Sequence, residues 1–172
     1  MTAHRPATMF SGGPADFTTE PVGDSGIPAP APGRPVTTEA GRYLQAVARD
    51  DPPARYGTTP ARVDGAARRI WAIAFGLAVR RRFEPNTPLP EISRTVTTAV
   101  HEHSAAALPV LDAEMLVRDA LGEAVPVEGI DPAVLLGVHL LVFASLADSM
   151  ALGDAELDTL IAEAEELAAA EP

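Results

Sequence analysis

The residues able to do chemistry are four histidines and a C-terminal run of carboxylates. His101-Glu102-His103 has the residue types of a metal or acid–base cluster. On a helix, however, residues two apart diverge by about 200°, so one ion cannot take both imidazoles while the helix is intact. The spacing is neither the i, i+4 histidine pair of zinc hydrolases nor a Glu-x-x-His pair of the di-iron kind. His139, in an apolar stretch, reads more simply as a core histidine bonded to a backbone carbonyl. No metal site is expected; were one present, His103, His139 and one acid would form it. Ser104 stands beside His101 and His103 without an acid to orient either ring. Gly-x-Ser-x-Gly, the Walker phosphate loop and Gly-x-Gly-x-x-Gly are all absent, and Ser11-Gly12-Gly13 lies in a proline- and glycine-rich leader. Polar residues fall in turns and on outer faces instead of converging on a pocket. Neither catalysis nor a cofactor is expected.

Asp148, Asp154, Glu156 and Asp158 gather at one helical corner. An EF-hand loop counted from Asp148 needs oxygen ligands at its third, fifth and twelfth positions, and those are Met150, Leu152 and Thr159. That reading fails, and a capped turn with acids at a helix N-terminus explains the cluster. The run Leu146-Ala147-Asp148, then Gly153-Asp154-Ala155-Glu156-Leu157, resembles the TerB-type helical domain of tellurite-resistance proteins. There an apolar helix ends in an Ala-Asp-Gly turn and an acidic helix follows; here the glycine is displaced by several residues. The resemblance covers roughly 25 residues. It implies a stress-associated scaffold with metal contacts at Asp148 and Asp154.

The elements that must position these groups are helical. Hydrophobic residues make up 47 % of the chain but aromatics only 5 %, which favours an aliphatic, alanine-rich helical core. The 172 residues suit one domain. Cysteine is absent, which removes disulfides and thiolate metal sites. No apolar stretch in the first thirty residues could act as a signal-peptide core, so a cytoplasmic location is expected. Lysine is absent too, as an arginine-biased codon usage explains.

Residues 1–36 hold seven prolines and five glycines and are expected to form a disordered tail, with the all-α domain over 37–172. The spacing predicts helices over Glu39–Arg49, capped by Thr38, and from Thr59-Pro60 to Phe83. Others are expected over Pro90–Ser104, Asp112–Leu121 before Gly122, Pro132–Leu152 after Asp131, and Asp154–Ala169. Val125-Pro126-Val127 is too short and proline-broken for a strand.

The helices over about 60–83 and 132–152 stand apart because they are apolar all round. Ile70 to Val79 contains no polar residue, and Pro132 to Ala147 contains no charge. Runs this short, rich in alanine and glycine, fall below the roughly 20 apolar residues of a membrane span. Both helices are therefore expected at the centre of a bundle of five to six, with Gly76 and Gly137 permitting close backbone approach. An apolar ligand cavity between them would involve Trp71, Phe75, His139 and Phe143.

Charge is divided unevenly. Twelve of thirteen arginines precede residue 111, while residues 111–172 carry fourteen acids against Arg118 alone, within a net charge of −11. Arg80, Arg81 and Arg82 suit a helix C-terminus, where cations complement the macrodipole. They could also dock onto the acids of the last helix, Glu163, Glu165 and Glu166, or onto an acidic partner. The acidic balance excludes broad nucleic-acid or anionic-membrane binding. These features point to a non-catalytic helical interaction protein that associates with itself or another protein; the alternatives are a helical regulator sensing a small apolar molecule, and the TerB-like scaffold.

Overall fold

A computed structural model describes residues 33–49 and 63–170. It contains six helices: α1 (Glu39–Ala48), α2 (Gly65–Arg82), α3 (Leu89–Glu102), α4 (Val110–Ala120), α5 (Pro132–Ser149) and α6 (Asp154–Ala170). A single 3₁₀ turn, Ser104–Ala106, follows α3. No strand occurs among the described residues, so the chain is all-α.

The helix ends follow local chemistry. Thr38 caps α1 by accepting from the Gly41 amide at 2.9 Å, and Asp131 caps α5 by accepting from the Ala133 amide at 2.8 Å. The start expected at Thr59-Pro60 lies outside the described residues; α2 begins at Gly65, with Asp64 accepting from the Ala67 amide at 2.9 Å. Two helices end in the same arrangement with different residues in the left-handed position. After α4, Glu123 N–H bonds the Arg118 carbonyl and Gly122 takes φ 88°. After α5, Leu152 N–H bonds the Ala147 carbonyl and Ala151 N–H bonds that of Asp148. There the left-handed residue is Ala151, at φ 51°, whose Cβ makes this conformation costly. Gly153 stands two residues too late to take it, and α5 stops at Ser149 instead of Leu152.

Helix α2 is the centre. It packs most extensively on α6 and also touches α1, α4 and α5, burying Ile70, Trp71, Ala74, Phe75, Ala78 and Val79. The Trp71 indole N–H donates to the Ala40 carbonyl at 2.9 Å, and Tyr43 lies against its ring at 5.7 Å. The space beside Gly76 holds the Arg80 side chain, and that beside Gly137 holds Leu108. Neither glycine is therefore a backbone-to-backbone contact. Alanines and aliphatic side chains make the close packing.

Helix α5 contains one π turn, Val138–Val142. It buries Val138, Val142, Phe143 and Leu146, but Val134, Leu135, Leu136, Leu140 and Leu141 are only partly covered. By length and composition, Pro132–Ser149 could cross a membrane, with 39 % of it buried in the bundle. Extracting it would strip apolar contacts from the centre of the core.

Most of the expected tail, residues 1–32, lies outside the described residues. Residues 33–36, placed in that tail by composition, lie extended on α6. A Cβ on Gly33 would sit 2.5 Å from the Ala155 carbonyl oxygen, Arg34 pairs with Glu166 at 3.0 Å, and Val36 packs on the core.

Candidate functional site

Part of the divided charge meets within the chain. Arg49 reaches Asp154 at 3.0 Å and Asp158 at 3.1 Å, and Gln45 also donates to Asp158. Arg81 meets Glu163 at 3.7 Å, so one member of the arginine triplet does face α6. Arg82 turns elsewhere, to Glu91 at 3.4 Å and over the Phe83 ring at 5.0 Å. Arg80 donates from Nε to the Ala120 carbonyl at 3.1 Å. Of the triplet expected to dock onto the last helix, only Arg81 does so, and the three side chains go to three different partners.

Glu165 departs furthest from its expected place on an outer contact face, being only 8 % exposed. Its Oε2 accepts from the Thr37 amide at 2.9 Å and hydroxyl at 2.7 Å; its Oε1 accepts from the same two groups of Thr38 at 2.9 and 2.7 Å. The carboxylate thus closes the N-terminus of α1 from another helix. Burial alone pushes its pKa up, but the hydrogen bonds from the Thr38 and Thr37 hydroxyls and from both amides outweigh that and hold it low. Glu165 is thus a clamp within the fold, its carboxylate taken up by Thr37 and Thr38. Glu163 and Glu166 remain at the surface in their ion pairs.

Two grooves hold the histidines His103 and His139. The first, of about 350 Å³, is lined by Glu102, His103, Ser145 and Asp148 beside Val47 and Ala144. Ser145 donates to Glu102 Oε2 at 2.8 Å, and His103 Nε2 lies 3.1 Å from Ser145 Oγ. In this arrangement the Ser145 hydroxyl donates to the Glu102 carboxylate and not to the imidazole, so His103 is not placed to take its proton. His101 turns away, its Nδ1 2.8 Å from the Thr97 carbonyl, as the helical step required. Ser104 belongs to the 3₁₀ turn and is exposed. Sequence spacing could not identify Ser145 as the partner of His103, because 42 residues separate them.

The second groove, about 540 Å³, runs between α2, α4, α5 and the end of α6. Its walls include Ile73, Phe75, Leu116, Val127, Leu135 and Leu167, and its polar side chains are Arg80, Asp119 and His139. His139 lies against Phe75 at 5.2 Å within the π turn; burial lowers its pKa to about 4, so the ring is neutral at pH 7. No hydrogen bond joins it to any described residue, contrary to the expected bond to a backbone carbonyl. Of the four residues named for an apolar cavity, Phe75 and His139 line this groove, whereas Trp71 and Phe143 are wholly buried and do not.

His103 and His139 face different grooves, so the postulated ligand pair is not assembled. Among the described residues no group of three or more histidines and carboxylates could hold a metal ion. Asp148 and Asp154, the metal contacts implied by the TerB resemblance, are separate: Asp148 lines the first groove and Asp154 pairs with Arg49. Comparison with protein-family models, curated proteins and solved structures gave no match.

Proposed function

We propose that the chain is a non-catalytic helical interaction protein that associates with a second copy of itself through the outer side of α5. One observation carries this reading. The Pro132–Ser149 helix has no charge before Asp148, yet 39 % of it is buried. A helix without a wet face is covered by something. With a net charge of −11, two copies repel over most of their surface, and a charge-free helix is where they can approach. A two-fold axis would then set the same leucines of each copy against one another. Membrane insertion, nucleic-acid binding and catalysis form no part of this proposal, and a cytoplasmic location suits it.

Size-exclusion chromatography with light scattering tests the reading. The full chain is expected to run as a dimer at micromolar concentration, and Leu136→Gln or Leu140→Gln to shift it to monomer with unchanged far-UV circular dichroism. A strict monomer across the concentration range overturns it. A second reading, a helical regulator sensing an apolar molecule, is favoured by the groove between α2 and α5. The TerB-like scaffold reading has only the corner at Asp148 to Leu157 behind it.

A further inference from the structure

We infer that the groove between α2, α4 and α5 is a binding site for a small aliphatic carboxylate, with its head group at Arg80 and its chain along Phe75 and Leu135. The inference gives the small-molecule reading a ligand class and is independent of association through α5. The groove volume of about 540 Å³ falls within the usual range of small-molecule sites, roughly 300–1,000 Å³. Ile73, Phe75, Leu116, Val127, Leu135 and Leu167 give it an apolar stretch of wall, as an alkyl chain requires.

Its charge then selects the head group. Arg80 is the only cation among the described residues lining it, because the other basic side chain, His139, is neutral at pH 7. The bond from Arg80 Nε to the Ala120 carbonyl fixes the guanidinium in place. Its Nη2 lies over Gly76, another lining residue, 3.7 Å from where a Cβ would stand. No carboxylate pairs with Arg80 among the described residues; Arg42, Arg68 and Arg94 share that lack, but none of them lines the groove. In so acidic a chain, an oriented, unpaired guanidinium at the mouth of an apolar groove suits an external anion. Asp119 also lines the groove and opposes that anion, so it must weaken binding and favour ligands whose apolar contacts are good.

The site has a feature that packing alone leaves without a use. His139 is set in the only π turn among the described residues and has no hydrogen-bond partner there. Single π turns inside α-helices recur at functional sites, since the inserted residue re-aims the side chains around it. Here the side chain so placed lies against Phe75 in the groove wall.

The test is isothermal titration calorimetry of the full chain with sodium decanoate below its micellar concentration, with decylamine and decanol as comparisons. Decanoate is expected to bind with one site per chain and more tightly than either comparison. Arg80→Gln should weaken it about tenfold or more, the loss of one charge-assisted hydrogen bond. Asp119→Asn should tighten it, and Ile73→Trp, which fills the groove, should abolish it. Thermal unfolding of each variant checks that it is folded; if Ile73→Trp does not fold, Leu167→Trp at the groove edge replaces it. Absence of decanoate binding, insensitivity to Arg80→Gln, or tighter binding of decylamine or decanol overturns the inference. A monomeric protein that binds decanoate refutes the association reading alone.

Discussion

Replacing Glu165 by alanine should destabilise the fold more than any other change to a surface-helix acid. The carboxylate accepts four hydrogen bonds from Thr37 and Thr38, and hydrogen bonds to charged groups contribute about 1.5–3 kcal/mol each. The effects do not add, because Thr37 is exposed and its two donors find water once the acid is gone. The Thr38 amide and hydroxyl are more covered, so the expected loss is about 2–4 kcal/mol. At this chain length each kcal/mol lowers the melting temperature by about 2–4 °C. Glu165→Gln should lose about half as much, since one amide oxygen still accepts while the NH₂ group faces fixed amide donors.

The pH dependence has a definite sign. The folded pKa of Glu165 lies below its ordinary value of 4.5. The clamp's contribution is therefore fully present above about pH 4.5 and is lost as pH falls through the folded pKa. Chemical denaturation of the parent and of Glu165→Gln should show a gap at pH 7 that narrows on acidification below that point. Thr38→Ala should cost about 1 kcal/mol or more, since its hydroxyl both caps α1 and donates to Glu165, and the double variant should lose less than the two singles together. An alanine variant within about 0.5 kcal/mol of the parent, or strict additivity with Thr38→Ala, refutes the clamp.

Other changes test the surrounding packing. Ala151→Gly should raise stability by about 0.5–1 kcal/mol in a denaturant melt, because it relieves a left-handed alanine at the C-terminus of α5. The same change at Ala155, which is helical and half-buried, should lower stability by about 1 kcal/mol. Arg81→Gln should cost less than about 1 kcal/mol and lose its effect in high salt, since the pair with Glu163 is long and both side chains are over 40 % exposed. Trp71→Phe should cost about 1–3 kcal/mol, by removing the indole donor to the Ala40 carbonyl and leaving a gap where the larger ring was buried.

The helices were legible because their signals are local. Thr38, Asp131-Pro132 and Gly122 each mark an end through bonds that span a few residues, and the boundaries of α1 and α6 fall within a residue of expectation. Where a second local solution competed, the reading slipped. Asp64 caps α2, and the Ala151 turn ends α5 three residues early, before the glycine that looked like the stop.

Partnerships across the bundle were not legible, because they depend on which faces meet. Glu163, Glu165 and Glu166 look alike along the chain, and rotation of about 100° per residue sends them to three fates. One forms a long ion pair, one is buried under two threonine hydroxyls and amides, and one holds Arg34. Likewise the histidines His103 and His139 diverge: one meets Ser145 and the other lies against the Phe75 ring. Composition and hydrophobic period determined that this is an all-α chain with α2 at its heart. Only the tertiary structure decided which charges are spent inside the fold, because a carboxylate's role depends on donors brought to it from more than a hundred residues away.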